Sequence, residues 1–209
     1  LIQNHPNDIT KKHIDKFMSD YYPNERLATE HLLLHPNFSS EHIDKILKGD
    51  DDYYARKVMN NKNVSEDNIK TAIDNKDYVV RMSAIKHSKA TQDVFKKVIN
   101  SAEYDTDYTG KMYHLANHIP HDKMNAETLD HYLQNRHISQ DNKIHAFKTN
   151  KFVTENNVKT AARYGFSDLM IAALQHPLAT KELVQKHMTG GTADTRNAAT
   201  EEYNKRFSK

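Results

Sequence analysis

The feature that most limits how this 209-residue chain can fold is a recurrence. Seven times a Ser, Thr or Asn is followed four residues later by an apolar residue, with further apolar residues three and four positions beyond it. The pairs are Thr10–Ile14, Ser39–Ile43, Ser65–Ile69, Thr91–Phe95, Asn125–Leu129, Thr154–Val158 and Thr180–Val184. Successive starts lie 29, 26, 26, 34, 29 and 26 residues apart. A period of this length marks a repeat architecture, in which each unit is too small to bury its own apolar face and must stack on its neighbours.

The local chemistry of one copy is that of a helix start. A Ser, Thr or Asn side chain accepts a hydrogen bond from an orphan amide of the first turn. Acidic residues follow where the helix dipole favours them: Glu41, Glu66, Asp67, Asp93, Glu127, Glu155 and Glu182. The apolar residues then fall at helical spacing, as in Ile43, Ile46 and Leu47 or Leu129, Tyr132 and Leu133. This predicts a first helix, A, of about ten residues in each unit. Asp20, Asp52, Asp77 and Asp107, each directly before a Tyr, are the expected caps of a second helix, B, with its own stripe (Ala55, Val58, Met59; Val80, Ala84, Ile85). Helices this short are marginal alone in water, so they must gain stability by packing.

The stretch Asp77-Tyr78-Val79-Val80-Arg81-Met82-Ser83-Ala84-Ile85-Lys86-His87 resembles the second half of a HEAT-like unit. It is also similar to the variant leucine-rich repeat, whose units read as an acidic turn, Val-Arg, Ala, then a His-Pro-Asn-type turn. The resemblance spans nearly the whole chain, with residues 61–87 its cleanest match. It implies an all-α, right-handed α-solenoid of about seven two-helix HEAT-like repeats in one domain, 1–209, with units near 5–34, 35–60, 61–86, 87–120, 121–149, 150–175 and 176–209. Repeats of this kind imply protein-binding scaffolds, with a minority that bind or repair DNA. Units beginning His-Pro-Asn also resemble those of bacterial and tailed-phage proteins. Leu1-Ile2-Gln3-Asn4 reads like the last turn of a helix B, so the chain is expected to open partway through a unit of a longer solenoid. The insertion around Ser101–Thr109 interrupts the regular spacing.

Within that frame the chemistry-bearing residues fall into a few sets. Seven turn slots before each helix A hold His5, His35, Asn61, His87, His121, Asn150 and His176. Because Asn titrates nothing and ligates zinc poorly, the interchange predicts a capping role, donation to the last carbonyls of the preceding helix B. His114, His118 and His121, beside Asp122, form the sharpest metal-like cluster, with His114 and His118 a helical turn apart; His31 and His35 share that spacing as a weaker pair. The acidic run Asp50-Asp51-Asp52 reads as an exposed helix start. Tyr21, Tyr22, Tyr53, Tyr54, Tyr78 and Tyr108 recur at the A–B turns. With Arg56 and Arg81 beside them, they are the candidate partner-binding edge, each Tyr either facing a partner or plugging the gap between units.

Composition narrows the function class. There is no Cys, so no disulfide framework, thiolate metal site or Cys nucleophile. No G-x-S-x-G elbow, P-loop or G-x-G-x-x-G occurs, and no enzyme, cofactor or small-molecule substrate is expected. The 30 basic and 28 acidic residues are evenly spread, which argues against a basic nucleic-acid groove and against a membrane-surface role. A groove gathering Arg56, Lys57, Arg81, Lys86 and Lys111 is the rival reading, similar to DNA-binding HEAT-like proteins of the alkylpurine glycosylase type. The expected role is a non-catalytic scaffold for a protein partner, in the cytoplasm or incorporated in a larger particle. No signal-peptide pattern opens the chain.

Overall fold

The computed structural model describes residues 9–19, 26–104 and 111–208. Among these residues every regular element is helical and no strand occurs. The helices are α1 (Lys11–Ser19), α2 (Arg26–Leu33), α3 (Ser40–Lys48), α4 (Asp52–Val58), α5 (Glu66–Ile73), α6 (Tyr78–Lys86) and α7 (Gln92–Tyr104). They continue with α8 (Lys111–Ala116), α9 (Ala126–Gln134), α10 (Gln140–Thr149), α11 (Glu155–Tyr164), α12 (Ser167–Gln175), α13 (Lys181–Met188) and α14 (Ala193–Phe207). A 3₁₀ turn at His121–Lys123 precedes α9. The chain is all-α, as the recurrence predicts. No helix among the described residues is long and apolar enough to cross a membrane.

The chain divides between Val94 and Phe95 into two compact units. In the first, α3 packs on α4 and α5, α4 packs on α2 and α6, and α5 packs on α6. Its core is made of Ile14, Leu33, Phe38, Ile43, Val58, Val64, Ile69, Ala72, Val80 and Ile85, all buried. In the second unit, α9 packs on α10 and α11, α12 on α10, α11 and α14, and α13 on α14. Phe95, Leu129, Tyr132, Phe147, Val158, Leu169, Leu174, Val184 and Ala199 are buried there.

The recurring starts act as caps. The side chains of Ser39, Ser65, Asn125, Thr154 and Thr180 accept from the amides of His42, Asn68, Thr128, Asn157 and Leu183. In three boxes the third helical residue returns the bond, and it is not the usual Glu or Gln. The acceptors are His42 Nδ1 for the Ser39 amide, Asn68 Oδ1 for Ser65 and Asn157 Oδ1 for Thr154, each at 3.0 Å. The residue before four of these caps is also buried (Phe38, Val64, Met124, Ala179), as is the residue four past each (Ile43, Ile69, Leu129, Val184). These are the two positions of a hydrophobic staple, and burying a side chain of Phe38's size is worth about 1.5–3 kcal/mol.

Two expected caps are corrected. Asp51, not Asp52, caps α4, its Oδ1 accepting from the amides of Tyr53 and Tyr54. The helix therefore starts one residue earlier than the Asp-Tyr pattern implied. Thr91 Oγ1 is buried with no hydrogen-bond partner among the described residues, so α7 begins without the side-chain cap its sequence offers.

Candidate partner-binding surface

Polar side chains tie each turn to one about a unit away in sequence. Asn61 Nδ2 donates to Leu33 O at 2.6 Å while its Oδ1 accepts from Asn63 N at 2.7 Å. Asn150 repeats the pattern, donating to His121 O and Met124 O and accepting from Phe152 N. In three of the slots held by His, the ring Nδ1 does what the Asn oxygen does: those of His35, His87 and His176 accept from the amides of Asn37, Lys89 and Leu178. Asn61 thus makes the expected donation to the last carbonyl of a helix B, but to α2, one unit earlier than its own. These side chains close their own turn, and the Asn ones reach a turn or helix end about one unit earlier. His5 lies outside the described residues.

Further rungs escaped the sequence reading. Asn75 and Asn135, buried in the A–B turns, donate to Leu47 O and Ile99 O. Asn37, Asn63 and Lys89 donate to Ile9 O, to Pro36 O and Phe38 O, and to Lys62 O and Val64 O. Arg206 of α14 closes the series on His176 O, Pro177 O and Ala179 O. A carboxylate five residues past a cap links successive A helices: Asp15 accepts from His42 Nε2, Asp44 from Thr71 Oγ1 and Asp130 from Thr160 Oγ1. The His42 bond holds the Asp15 carboxyl below its ordinary range. The only signal in the sequence was the 25- to 30-residue recurrence of Asn and Asp, which does not say what each bonds.

The candidate tyrosines part company. Tyr54 is 1% exposed, edge-on to Tyr53, and belongs to the core. Tyr53 is half-buried; its hydroxyl donates to the Glu30 carboxylate, which also pairs with Lys57 at 3.4 Å. Tyr78 is 36% exposed beside the exposed Val79. Tyr21, Tyr22 and Tyr108 lie outside the described residues. Arg56 grips Asp77 with two bonds, Nε to Oδ1 at 3.0 Å and Nη2 to Oδ2 at 2.5 Å. That guanidinium, with the Val80 amide, holds the Asp77 carboxyl below its usual range while Asp77 caps α6. Arg81 is 8% exposed, its Nε and Nη2 without partners among the described residues. Tyr54 and Arg81 are therefore corrected from contact residues to core residues: α4 and α6 turn these positions inward. Of the rival basic groove, Arg56 and Lys57 are ion-paired and Arg81 is buried; the Lys111 side chain lies outside the described residues.

The remaining candidates also find bland partners. Asp50 and Asp52 face Lys76 at 3.3 and 3.8 Å, and Asp51 is the cap already described. His114 and His118 are exposed. His121 turns to the Tyr132 hydroxyl at 3.1 Å and lies edge-on to His145, ring centroids 5.2 Å apart. Burial, reinforced by His145, pushes its pKa down to about 4. No group of three or more His, Cys, Asp or Glu side chains among the described residues is arranged to hold a metal.

Other apolar side chains are left in water. Phe166 is 71% exposed and Tyr164 45% exposed, at the A–B turn between α11 and α12. Gly165 makes this turn tight: a Cβ there would lie 2.5 Å from Ala161 O and 2.9 Å from Leu169. The Phe166 amide donates to Gln140 Oε1 at 3.3 Å, and its ring, with no capping role, projects outward. Phe166 sits one residue before α12, where Asp77 sits before α6; the Asp-Tyr pattern passed over it because neither residue of that pattern is present. Comparison of the chain with family models, with curated proteins and with solved structures found no match.

Proposed function

We propose that the chain is a right-handed α-solenoid of about seven two-helix HEAT-like units that acts as a non-catalytic scaffold for a protein partner, within a larger assembly. The solenoid reading is supported by the polar ties at 25- to 30-residue intervals, since units that cannot stand alone must satisfy one another's backbone. The observation that carries the binding role is the exposed aromatic set at the A–B turns, Tyr78 in the first unit and Tyr164 and Phe166 in the second. An exposed Phe leaves about 1.5–3 kcal/mol of transfer free energy for a partner to recover, and aromatic side chains anchor protein interfaces.

The test is capture of partners from the source lysate, with and without nuclease, by the parent chain and by Tyr78→Ser and Tyr164→Ser/Phe166→Ser variants. Proteins that are captured despite nuclease and lost with either variant, at unchanged circular dichroism, are the expected result. Capture unaltered by both variants refutes the turn-edge reading. Capture abolished by nuclease refutes the protein-scaffold reading.

A further inference from the structure

A second surface is formed by α11, α12 and α13. There α9 and α11 pack together, whereas α11 and α13 barely touch, α13 being drawn onto α14 instead. The gap is an open groove of about 980 Å³. Its apolar floor is Ala162, Met170 and Leu183, and Lys159, Arg163 and Lys186 stand along it against the single carboxylate of Glu182. Lys159 is loosely shared with Glu155 at 3.7 Å. Arg163 rests over the Tyr164 ring, 5.0 Å from its centroid, and neither it nor Lys186 has an ion pair among the described residues. His187 donates from Nδ1 to Leu183 O at 2.9 Å, which fixes its ring at the groove wall.

We infer that this groove binds an acidic, amphipathic segment of a protein partner, carboxylates on Arg163 and Lys186 and apolar side chains on Met170 and Leu183. The charge balance selects an acidic occupant. The floor selects a protein segment over a nucleic acid, because unbranched Met adapts to apolar side chains and no Phe, Tyr or Trp lines the groove as a stacking platform for bases. The volume stands at the upper end of the roughly 300–1,000 Å³ typical of small-molecule sites, and the groove is open along its length, which suits a chain segment. The inference rests on the scaffold reading for the occupant being a protein, but it uses different residues.

The probe is a fluorescein-labelled peptide of about four helical turns built from Glu, Leu and Ala, read by anisotropy with the full chain. Controls are the same peptide with Lys for Glu, and an oligothymidylate. The Glu peptide is expected to bind, to weaken with added salt, and to bind roughly tenfold more weakly to R163E/K186E, while the Lys peptide fails. Both side chains are exposed, so the fold should survive; should R163E/K186E lose helicity, R163Q/K186Q gives the same reading with a smaller loss. No binding of the Glu peptide, equal binding of the Lys peptide, or indifference to the charge variants overturns the proposal. Tighter, variant-sensitive binding of oligothymidylate also overturns it, assigning the groove to nucleic acid. Phe166→Ser alone, which keeps the Tyr164 ring under Arg163, separates the two ideas: peptide binding that persists there while lysate capture is lost supports both sites independently.

Discussion

Asn61→Ala tests the turn ladder at its most buried rung. Asn61 is 1% exposed, and its amide satisfies Leu33 O at 2.6 Å and Asn63 N at 2.7 Å. Alanine leaves that carbonyl and that amide without partners inside the first unit, each at a cost of about 1–3 kcal/mol. Some relief by entering water gives an expected destabilisation of about 2–4 kcal/mol. Asn61→His should cost less, at most about 1–2 kcal/mol, because an imidazole Nδ1 accepts the equivalent amide at His35, His87 and His176. Urea unfolding followed by circular dichroism would rank parent above His above Ala. For a chain of this length the Ala variant should melt about 4–16 °C lower. A loss under about 0.5 kcal/mol for Ala, or His as damaging as Ala, would show that the ladder is not what holds the turns together.

Other consequences follow from individual sites. The His121 pKa falls from 6.5 to about 4 on folding, so the unfolded chain takes the proton first. Its contribution is complete above about pH 6.5 and is lost as pH drops toward 4. The shift is discounted to about 1–2 kcal/mol because the ring is half-exposed. His121→Asn, the residue found in two equivalent slots, should flatten stability between those pH values, and an unchanged slope refutes this. Gly165→Ala should destabilise the second unit by about 1–3 kcal/mol through the close approaches to Ala161 and Leu169; a neutral outcome in urea would contradict the geometry. Ser65→Ala should cost about 1 kcal/mol, whereas Thr91→Val should leave stability unchanged or raise it by up to about 1 kcal/mol, since its hydroxyl is buried without a partner. Equal losses at the two sites, by the same assay, would mean that Thr91 caps after all.

The sequence by itself determined the helices. A cap and a 3.6-residue apolar period act within one turn, so Ser39, Ser65, Asn125, Thr154 and Thr180 could be placed before any contact was known. Only the tertiary structure decided which neighbour each side chain meets. Tyr53 and Tyr54 are adjacent and chemically identical, yet α4 begins at Asp52, and the roughly 100° step between successive helical residues leaves one half-buried and sends the other to the core. Asn61 and Asn150 showed their recurrence but not their acceptors, which lie 26 to 29 residues earlier and exist only once helices stack. Thr91 kept the sequence of a cap and lost its function, and Phe166 became the most exposed large apolar side chain among the described residues without any motif to mark it. The groove between α11 and α13 was invisible for the same reason: it arises because α13 packs on α14, a preference between distant faces that no local pattern records.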